Sequence, residues 1–334
     1  MRPLFHPRLV NGRYGDPAVH VETLFEKRGL LFDLGEIASL PPRKVQRIDQ
    51  IFVSHTHIDH FIGFDHLLRL LVGREKSVHF YGPSGLAEHV HHKLQGYRWD
   101  LVEGYGCDLV FMVSELRTAQ CILTTQFRLK RAFVPEPSVS RVTFGGILCD
   151  EPAFRVSAAI LEHHTLCLGF ALQETAHVNI WRNRLAERGL PIGPWLRSLK
   201  SAIVEGCADD HLIHIDGAAN SLGRIERLGS LRDLLTVTAG QKIAYVTDVA
   251  DTPANRAAII ALARNADIFF VEGAFAERDA ELARQRGHLT TTAAGQIARE
   301  AKVHRVEPFH FSPRYAGEEQ HLLAEVMAAF MRTS

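Results

Sequence analysis

Two observations predict an α/β fold. Apolar, strand-like runs alternate with segments of helical periodicity in both halves of the chain, and in each half several of those runs end in an acid or a histidine. The pattern suggests two similar units sharing a cleft. The 334 residues, 46% hydrophobic and 23% charged, suffice to bury a large core in one domain or in two.

In chain order, residues 21–26 and 29–34 (VETLFE and GLLFDL) are apolar runs separated by Lys27-Arg28 and read as paired strands. The second ends in Asp33-Leu34-Gly35-Glu36, a turn placed to lie beside a site. Ile51-Phe52-Val53 is a further strand, followed by Ser54-His55-Thr56-His57-Ile58-Asp59-His60. Phe64, Leu67, Leu68 and Leu71 then fall on one face of a helix. Residues 78–81 form a strand closed by Gly82-Pro83-Ser84-Gly85, before a helix over 86–95 whose His89, His91 and His92 read as a solvated face. Strand-like pieces at 109–113, 121–129, 142–148 and 154–161 are interrupted by Pro135, Pro137, Gly145, Gly146 and Pro152. The last closes on Leu161-Glu162-His163-His164, and spacing alone does not choose between the two histidines.

Residues 181–200 differ from their surroundings. Arg182, Arg184, Arg188, Arg197 and Lys200 stand against Glu187 alone, around Gly189-Leu190-Pro191-Ile192-Gly193-Pro194. This is a basic, Gly/Pro-hinged arm, or on the plainer reading a solvated helical hairpin. Strands at 242–246 and 267–271 end in Thr247-Asp248 and in Glu272. Gly287-His288-Leu289-Thr290 precedes a helix with Ala294, Ile297, Ala298 and Ala301 on one face. A strand over 303–309 ends in His310-Phe311-Ser312-Pro313-Arg314-Tyr315, and an amphipathic helix closes the sequence.

The formal charge is zero, with 38 basic and 38 acidic residues, so no global field draws the chain to nucleic acid or membrane, and a polyanion site has to be a local patch. The five cysteines are odd in number, widely spaced and free of C-x-x-C, as in proteins that keep their thiols reduced. No apolar run approaches the roughly 18 residues of a membrane span, and no secretory leader pattern opens the chain. A cytoplasmic protein is expected.

The chemistry concentrates in residues 55–60, with three imidazoles and a carboxylate directly behind a strand. In an extended segment His55 and His57 point the same way, and Asp59 and His60 follow as the chain turns. Neutral imidazole and carboxylate are zinc-type ligands, and the lack of nearby cysteine argues against a closed structural zinc site. An open, catalytic metal site is the better reading. A surface loop rich in histidine by chance explains H-x-H-x-D-H less well than it would a lone histidine.

This loop resembles the H-x-H-x-D-H signature of the metallo-β-lactamase superfamily. Further pieces in order resemble its ribonuclease Z family, metal-dependent endonucleases that trim the 3′ end of precursor transfer RNA: SHTHIDHFIGF, YGPSGL, LEHHTLCLGF, GLPIGPWLRSLK, YVTD, VEGAF, GHLTTTAAGQIAREA and HFSPRY, from about residue 30 to 315. The resemblance implies an αββα sandwich, two mixed β-sheets flanked by helices. It also implies a single domain over residues 1–334, with a protruding basic arm at about 175–215. It selects His163 over His164, and it would place His55, His57 and His163 on one metal, Asp59, His60 and His310 on a second, and Asp248 between them. Two divalent ions are implied, zinc by ligand chemistry with manganese as the alternative. Asp59 is expected to serve catalysis as well as binding. His288 would protonate the leaving 3′ oxygen, oriented by Glu272. Ser312 and Arg314 would steady a phosphate. The arm, through Arg184, Arg188, Arg197 and Lys200, would hold RNA by its phosphates.

The chain departs from that family in its N-terminal twenty residues, in Val271 where the family has histidine, in Leu289 where it has serine, and in Ile37-Ala38 after Asp33-Leu34-Gly35-Glu36. Two other readings therefore stand beside RNA processing. One is a phosphodiesterase acting on small or cyclic phosphodiesters or on another RNA. The second is an RNA-binding module with a vestigial metal site, which would bind RNA whether or not metal is chelated. A homodimer is compatible with each.

Overall fold

Two β-sheets build the larger of two units, Met1–Gln173 together with Gln241–Ser334. The computed structural model describes residues 4–24, 27–143, 145–215 and 223–332. Residues 25 and 26 of the expected strand 21–26, residue 144 of the expected strand 142–148, and residues 1–3, 216–222, 333 and 334 of the expected domain lie outside the described residues.

The first sheet runs in chain order through β1 (Phe5–Leu9), β2 (Val19–Thr23), β3 (Gly29–Phe32), β4 (Ile48–Phe52), β5 (Lys76–Pro83), β6 (Leu109–Thr118), β7 (Cys121–Arg128) and β8 (Val139–Val142). Strands β3 to β6 are parallel and the flanking pairs antiparallel. The second sheet starts with β9 (Ile147–Asp150), β10 (Phe154–Glu162) and β11 (Leu166–Glu174). The inserted unit, Glu174–Gly240, follows with β12 (His177–Ile180), β13 (Leu212–Ile215), β14 (Arg224–Arg227) and β15 (Leu235–Thr238). The second sheet then resumes with β16 (Lys242–Val246), β17 (Ile268–Glu272) and β18 (Val306–Phe309), in spatial order β18-β17-β16-β11-β10-β9. Strands β16, β17 and β18 are parallel.

The strands read as continuous apolar runs because both faces are covered. Leu30, Phe32, Phe52 and Tyr81 of the first sheet pack with Phe170, Tyr245, Phe270 and Phe309 of the second in one cluster. Their alternating neighbours Leu31, Ile51, Val53 and Phe80 pack with Phe64, Leu67, Leu68 and Leu71 of the helix Phe64–Leu71. On the far side Ala244, Val246, Phe269 and Val271 pack with Ile259 and Ile297 of the helices Pro253–Ala263 and Thr291–Glu300. The layers are therefore helix, sheet, sheet, helix. Phe32 stacks on Phe52 at 5.1 Å and on Tyr245 of the facing sheet at 5.7 Å, which places the ends of β3, β4 and β16 side by side.

The expected strand 142–148 is two strands in different sheets, β8 and β9. The chain crosses between the sheets at Gly145-Gly146. Gly146 has φ +70°, and a Cβ there would lie 2.2 Å from the Ala158 carbonyl oxygen, so only glycine fits the crossing.

The expected arm is part of a longer unit. Glu174–Gly240 has its own core of Leu185, Leu190, Trp195, Leu199, Ile213, Leu228, Leu231 and Leu234. Trp195, Leu199 and Ala202 are the buried face of the helix Trp195–Val204, and the Trp195 indole N–H donates to the Pro191 carbonyl at 2.8 Å, fastening the Gly/Pro segment to it.

Candidate metal centre

Most of the predicted metal-site residues lie at the carboxyl ends of parallel strands, where open α/β sheets leave a crevice. The chain leaves β4 through Ser54 to His57, which starts the short helix Ile58–Phe61 carrying Asp59 and His60. Strands β16, β17 and β18 end in Thr247-Asp248, Glu272 and His310, and the turn between β10 and β11 supplies His163. Asp33, Asp248 and His310 have φ of 56°, 42° and 58°. Non-glycine residues seldom adopt this left-handed conformation, and here it lets the side chains turn back over the strand ends.

Asp248 lies at the middle of the group. Its Oδ2 is 3.5 Å from His55 Nε2, 3.4 Å from His60 Nε2 and 3.9 Å from His163 Nε2, and its Oδ1 is 2.9 Å from His310 Nδ1. His57 packs edge-on to His55 at 4.4 Å between ring centroids, and His55, His57 and Asp248 bring donor atoms within 4.8 Å of one another. Asp59, His60 and His310 do the same, with Asp59 Oδ2 at 3.4 Å from His60 Nε2 and 3.3 Å from His310 Nε2. His55 Nε2, His60 Nε2 and His310 Nδ1 are buried yet none has an aligned hydrogen-bond partner. Buried ring nitrogens without partners are costly. Facing carboxylates from several sides, they fit divalent metal, and the clusters are able to hold it.

At His60 and His163 the second ring nitrogen is engaged, as is usual for metal-binding imidazoles. His60 Nδ1 pairs with Asp33 Oδ2 at 2.9 Å, and that oxygen also accepts from Tyr245 OH and Ser54 Oγ, each at 2.7 Å. Asp33 Oδ1 takes the Ser54 backbone N–H at 2.6 Å. His163 Nδ1 is 2.8 Å from the Gly287 carbonyl oxygen, whereas His164 reaches the Arg286 carbonyl at an exposed position. Gly287 has φ +69°, and a Cβ on it would stand 3.0 Å from His163 Nδ1. The backbone before His163 is fixed by buried Asn255, whose amide brackets Glu162 at 3.0 and 2.8 Å. Sequence reasoning placed Asp33 in a turn near the site without giving it this contact, and it passed over Ser54, Asn255 and Tyr245. The Asp33-Leu34-Gly35-Glu36 turn was the signal for Asp33; Ser54 and Tyr245 lie within SHTHIDHFIGF and YVTD, which assign them no role, and Asn255 lies in none of those pieces.

His288 Nδ1 is 2.8 Å from Glu272 Oε2, and its ring lies 4.9 Å from that of His163 and 5.9 Å from that of His310. Glu272 is buried and its Oε1 accepts the Val249 N–H at 2.7 Å. Asp248, Glu272, His288 and His310 also come within coordinating reach of one another. Because both Glu272 oxygens are already engaged, Glu272 and His288 form a hydrogen-bonded pair beside the metal clusters. Val271 and Leu289, two of the departures from the family pattern, are fully buried in the apolar layer behind β17.

The electrostatics follow from this crowding. Burial, then the neighbouring His60, pushes His55 down to about 2, so it stays neutral. At His310 burial opposes protonation, but Asp248 and Asp59 outweigh it and raise the imidazole to about 10. His60 is raised in the same way by Asp248 and Asp33. Burial favours protonating Asp59 and Asp248, yet the imidazoles hold both carboxyls below their ordinary range. A proton on His60 or His310 and a divalent cation thus answer the same concentration of negative charge. At His288 burial is again the largest influence and favours the neutral ring, but Glu272 prevails and its pKa is raised.

The remaining predicted residues separate into two kinds. In the inserted unit Arg184 donates to the Asp233 carbonyl and lies 5.8 Å from the Trp181 ring, and Arg188 pairs with Asp233 at 2.9 Å and donates to the Ser230 carbonyl. These two tie their helix to the 228–234 segment. Arg197 and Lys200 are exposed on the face of the helix Trp195–Val204 opposite its buried residues. Next to His310, Ser312 is half-buried and Arg314 is exposed, 5.7 Å from the Phe275 ring.

Fold and donor set together define a metal-dependent hydrolase of the β-lactamase superfamily; the sequence profile of the beta-lactamase superfamily domain matches residues 19–216 and 233–311. The Deinococcus radiodurans protein named ribonuclease Z is 31% identical over 289 residues, covering 86% of this chain and 83% of its own length. A Cronobacter sakazakii protein named ribonuclease BN is 30% identical over 312 residues, covering 90% of this chain and 84% of its own. The crystal structure of human tRNase Z, short form, superposes with a TM-score of 0.52 at 18% identity, over 93% of this chain and 92% of that one. Within the superfamily, the chain belongs to the ribonuclease Z family.

Proposed function

We propose that this protein is an endonuclease that removes the 3′ trailer of precursor transfer RNA. The observation that supports this reading most is the convergence on Asp248 of five imidazoles and Asp59, with the hydrogen-bonded pair His288–Glu272 beside them. In this reading His55, His57, His163 and Asp248 hold one divalent ion and Asp59, His60, His310 and Asp248 hold another. Zinc is the ion this reading assigns, since neutral nitrogen and carboxylate oxygen suit it. When bound, such a pair supplies Lewis acidity toward a phosphodiester and lowers the pKa of water.

The chain's own residues do the rest. Asp59 reaches from the short helix after β4 toward His310, keeping the two halves of the donor set in register. His288, whose pKa Glu272 raises against the effect of burial, delivers a proton to the 3′ oxygen that leaves. Arg314 and Ser312 steady the phosphate. In the inserted unit, the exposed Arg197 and Lys200 make the phosphate contacts, while Arg184 and Arg188 brace the structure that presents them. Five free cysteines suit a reducing cytoplasm. No helix among the described residues is long and apolar enough to cross a membrane.

The test is one assay run in parallel on two substrates. Purified protein loaded with zinc should cut a precursor transfer RNA that carries a 3′ trailer, leaving a 3′ hydroxyl, and a chelator should abolish the cut. Turnover of a small phosphodiester without cleavage of the precursor would refute the RNA-processing reading and leave a phosphodiesterase. Unchanged RNA affinity under chelation, with no turnover of either substrate, would leave a binding module.

A further inference from the structure

A cavity of about 200 Å³ opens against His288 on the larger unit. His288 belongs both to this cavity and to the group around Asp248, so whatever fills the cavity lies beside the proton donor. Ala283 and Ala293 are a buried apolar part of its lining, beside the charged Glu277 and Arg284. Arg256 forms part of its wall with the edges of its guanidinium already engaged. Nε and Nη2 pair with the two Asp251 oxygens, the latter at 2.9 Å, and Nη1 donates to Gln296 Oε1 at 3.1 Å. Three of its five N–H groups are thus engaged, which fixes the guanidinium in one plane, and that plane has a flat face to offer. Guanidinium planes stack on nucleobases of any identity, because every base has a π-face.

We propose that this cavity is the subsite for the nucleoside whose 3′ oxygen leaves, its base lying on the plane of Arg256, with Asp251 and Gln296 holding that plane still. The proposal rests on the endonuclease reading above and deepens it. A nucleoside seated there carries its 3′ oxygen toward His288 and the adjoining phosphate toward Asp248. Stacking on that plane does not by itself select a base, because every base has a π-face. Arg256 is on this account a substrate-contacting residue outside the metal centre.

The test crosses enzyme with substrate. Wild type, Arg256→Lys and Arg256→Ala are assayed in the zinc-loaded enzyme on precursor transfer RNA, and on the same precursor with an abasic site at the last retained nucleotide. On the normal precursor both variants should lose about tenfold in kcat/KM, whichever base stands at that position, because lysine keeps the charge and lacks the plane. Wild type should lose about the same on the abasic precursor, and neither variant should lose more there. Equal losses from Arg256→Ala on both substrates would overturn the subsite while leaving the endonuclease reading intact. Full activity of Arg256→Lys on the normal precursor would overturn it too, by showing that charge alone suffices. Failure of wild type to cut the normal precursor would overturn the endonuclease reading and the subsite with it. Because the abasic change sits in the RNA, its loss does not depend on how any variant folds.

Discussion

Asp33 and His60 meet at 2.9 Å at the junction of the two sheets, Asp33 at the end of β3 and His60 beyond the end of β4. Tyr245, from the facing sheet, donates to the same Asp33 oxygen at 2.7 Å. One carboxylate thus ties the orientation of an imidazole in the Asp248 cluster to the packing of the core. Asp33→Asn keeps the size of the side chain and removes its charge. It should weaken metal binding by about 10–100-fold, the usual effect of losing a partner behind a ligand. Competition with a graded chelator measures it, and unchanged affinity would show that His60 needs no such partner.

His288→Ala should leave the metal content intact while lowering turnover by about 10²–10⁴. Glu272→Gln should lower it less, because it keeps the hydrogen bond and removes the charge. Metal analysis beside single-turnover rates decides. Loss of an ion in His288→Ala would mean that His288 is a ligand.

The same pair sets a pH dependence. Glu272 raises the His288 pKa above the ordinary imidazole value of about 6.5, against the burial that favours the neutral ring. A proton donor must be protonated, so the rate should hold below that raised value and fall as pH rises through it. In Glu272→Gln burial acts without the opposing charge, and the alkaline limb should move to lower pH. A limb that stays in place would assign it to another group.

In the inserted unit the four predicted cations should behave differently. Reversing Arg197 and Lys200 to Glu should weaken RNA binding and flatten its salt dependence, each lost phosphate contact lowering the slope by about 0.7–0.9. Hydrolysis of a small phosphodiester should not change. Reversing Arg188 instead sets a carboxylate against Asp233 and should lower the thermal stability of the unit. Equal salt slopes in wild type and the Arg197/Lys200 variant would remove the exposed face from RNA binding.

The β-lactamase superfamily fold and the ribonuclease Z family were legible in the sequence because their signals are local. Period-two and period-3.6 patterns marked β4, β5, β16 and the helices at 64–71 and 86–95, and H-x-H-x-D-H announced metal within six residues. The break in 142–148 was less legible. Gly145-Gly146 marked a turn, but only the facing sheet, through the Ala158 carbonyl, makes that turn a crossing between sheets.

What the tertiary structure alone decided concerns pairs far apart in the chain. Residue types and spacing left His163 and His164 equal until family resemblance chose between them; in space, Asn255 and the Gly287 carbonyl turn His163 toward Asp248 and leave His164 outside. The Arg184 and Arg188 side chains read as free charges until Asp233 and the Ser230 carbonyl, more than forty residues on, came to meet them. Tyr245 and Asp33 are 212 residues apart and touch only because the two sheets close on one another. A short stretch of sequence carries residue type and periodicity, and these specify which side chains can bind metal and which face of a strand they take. Which side chain stands behind a ligand depends on contacts between distant segments, and those exist only once the core has packed.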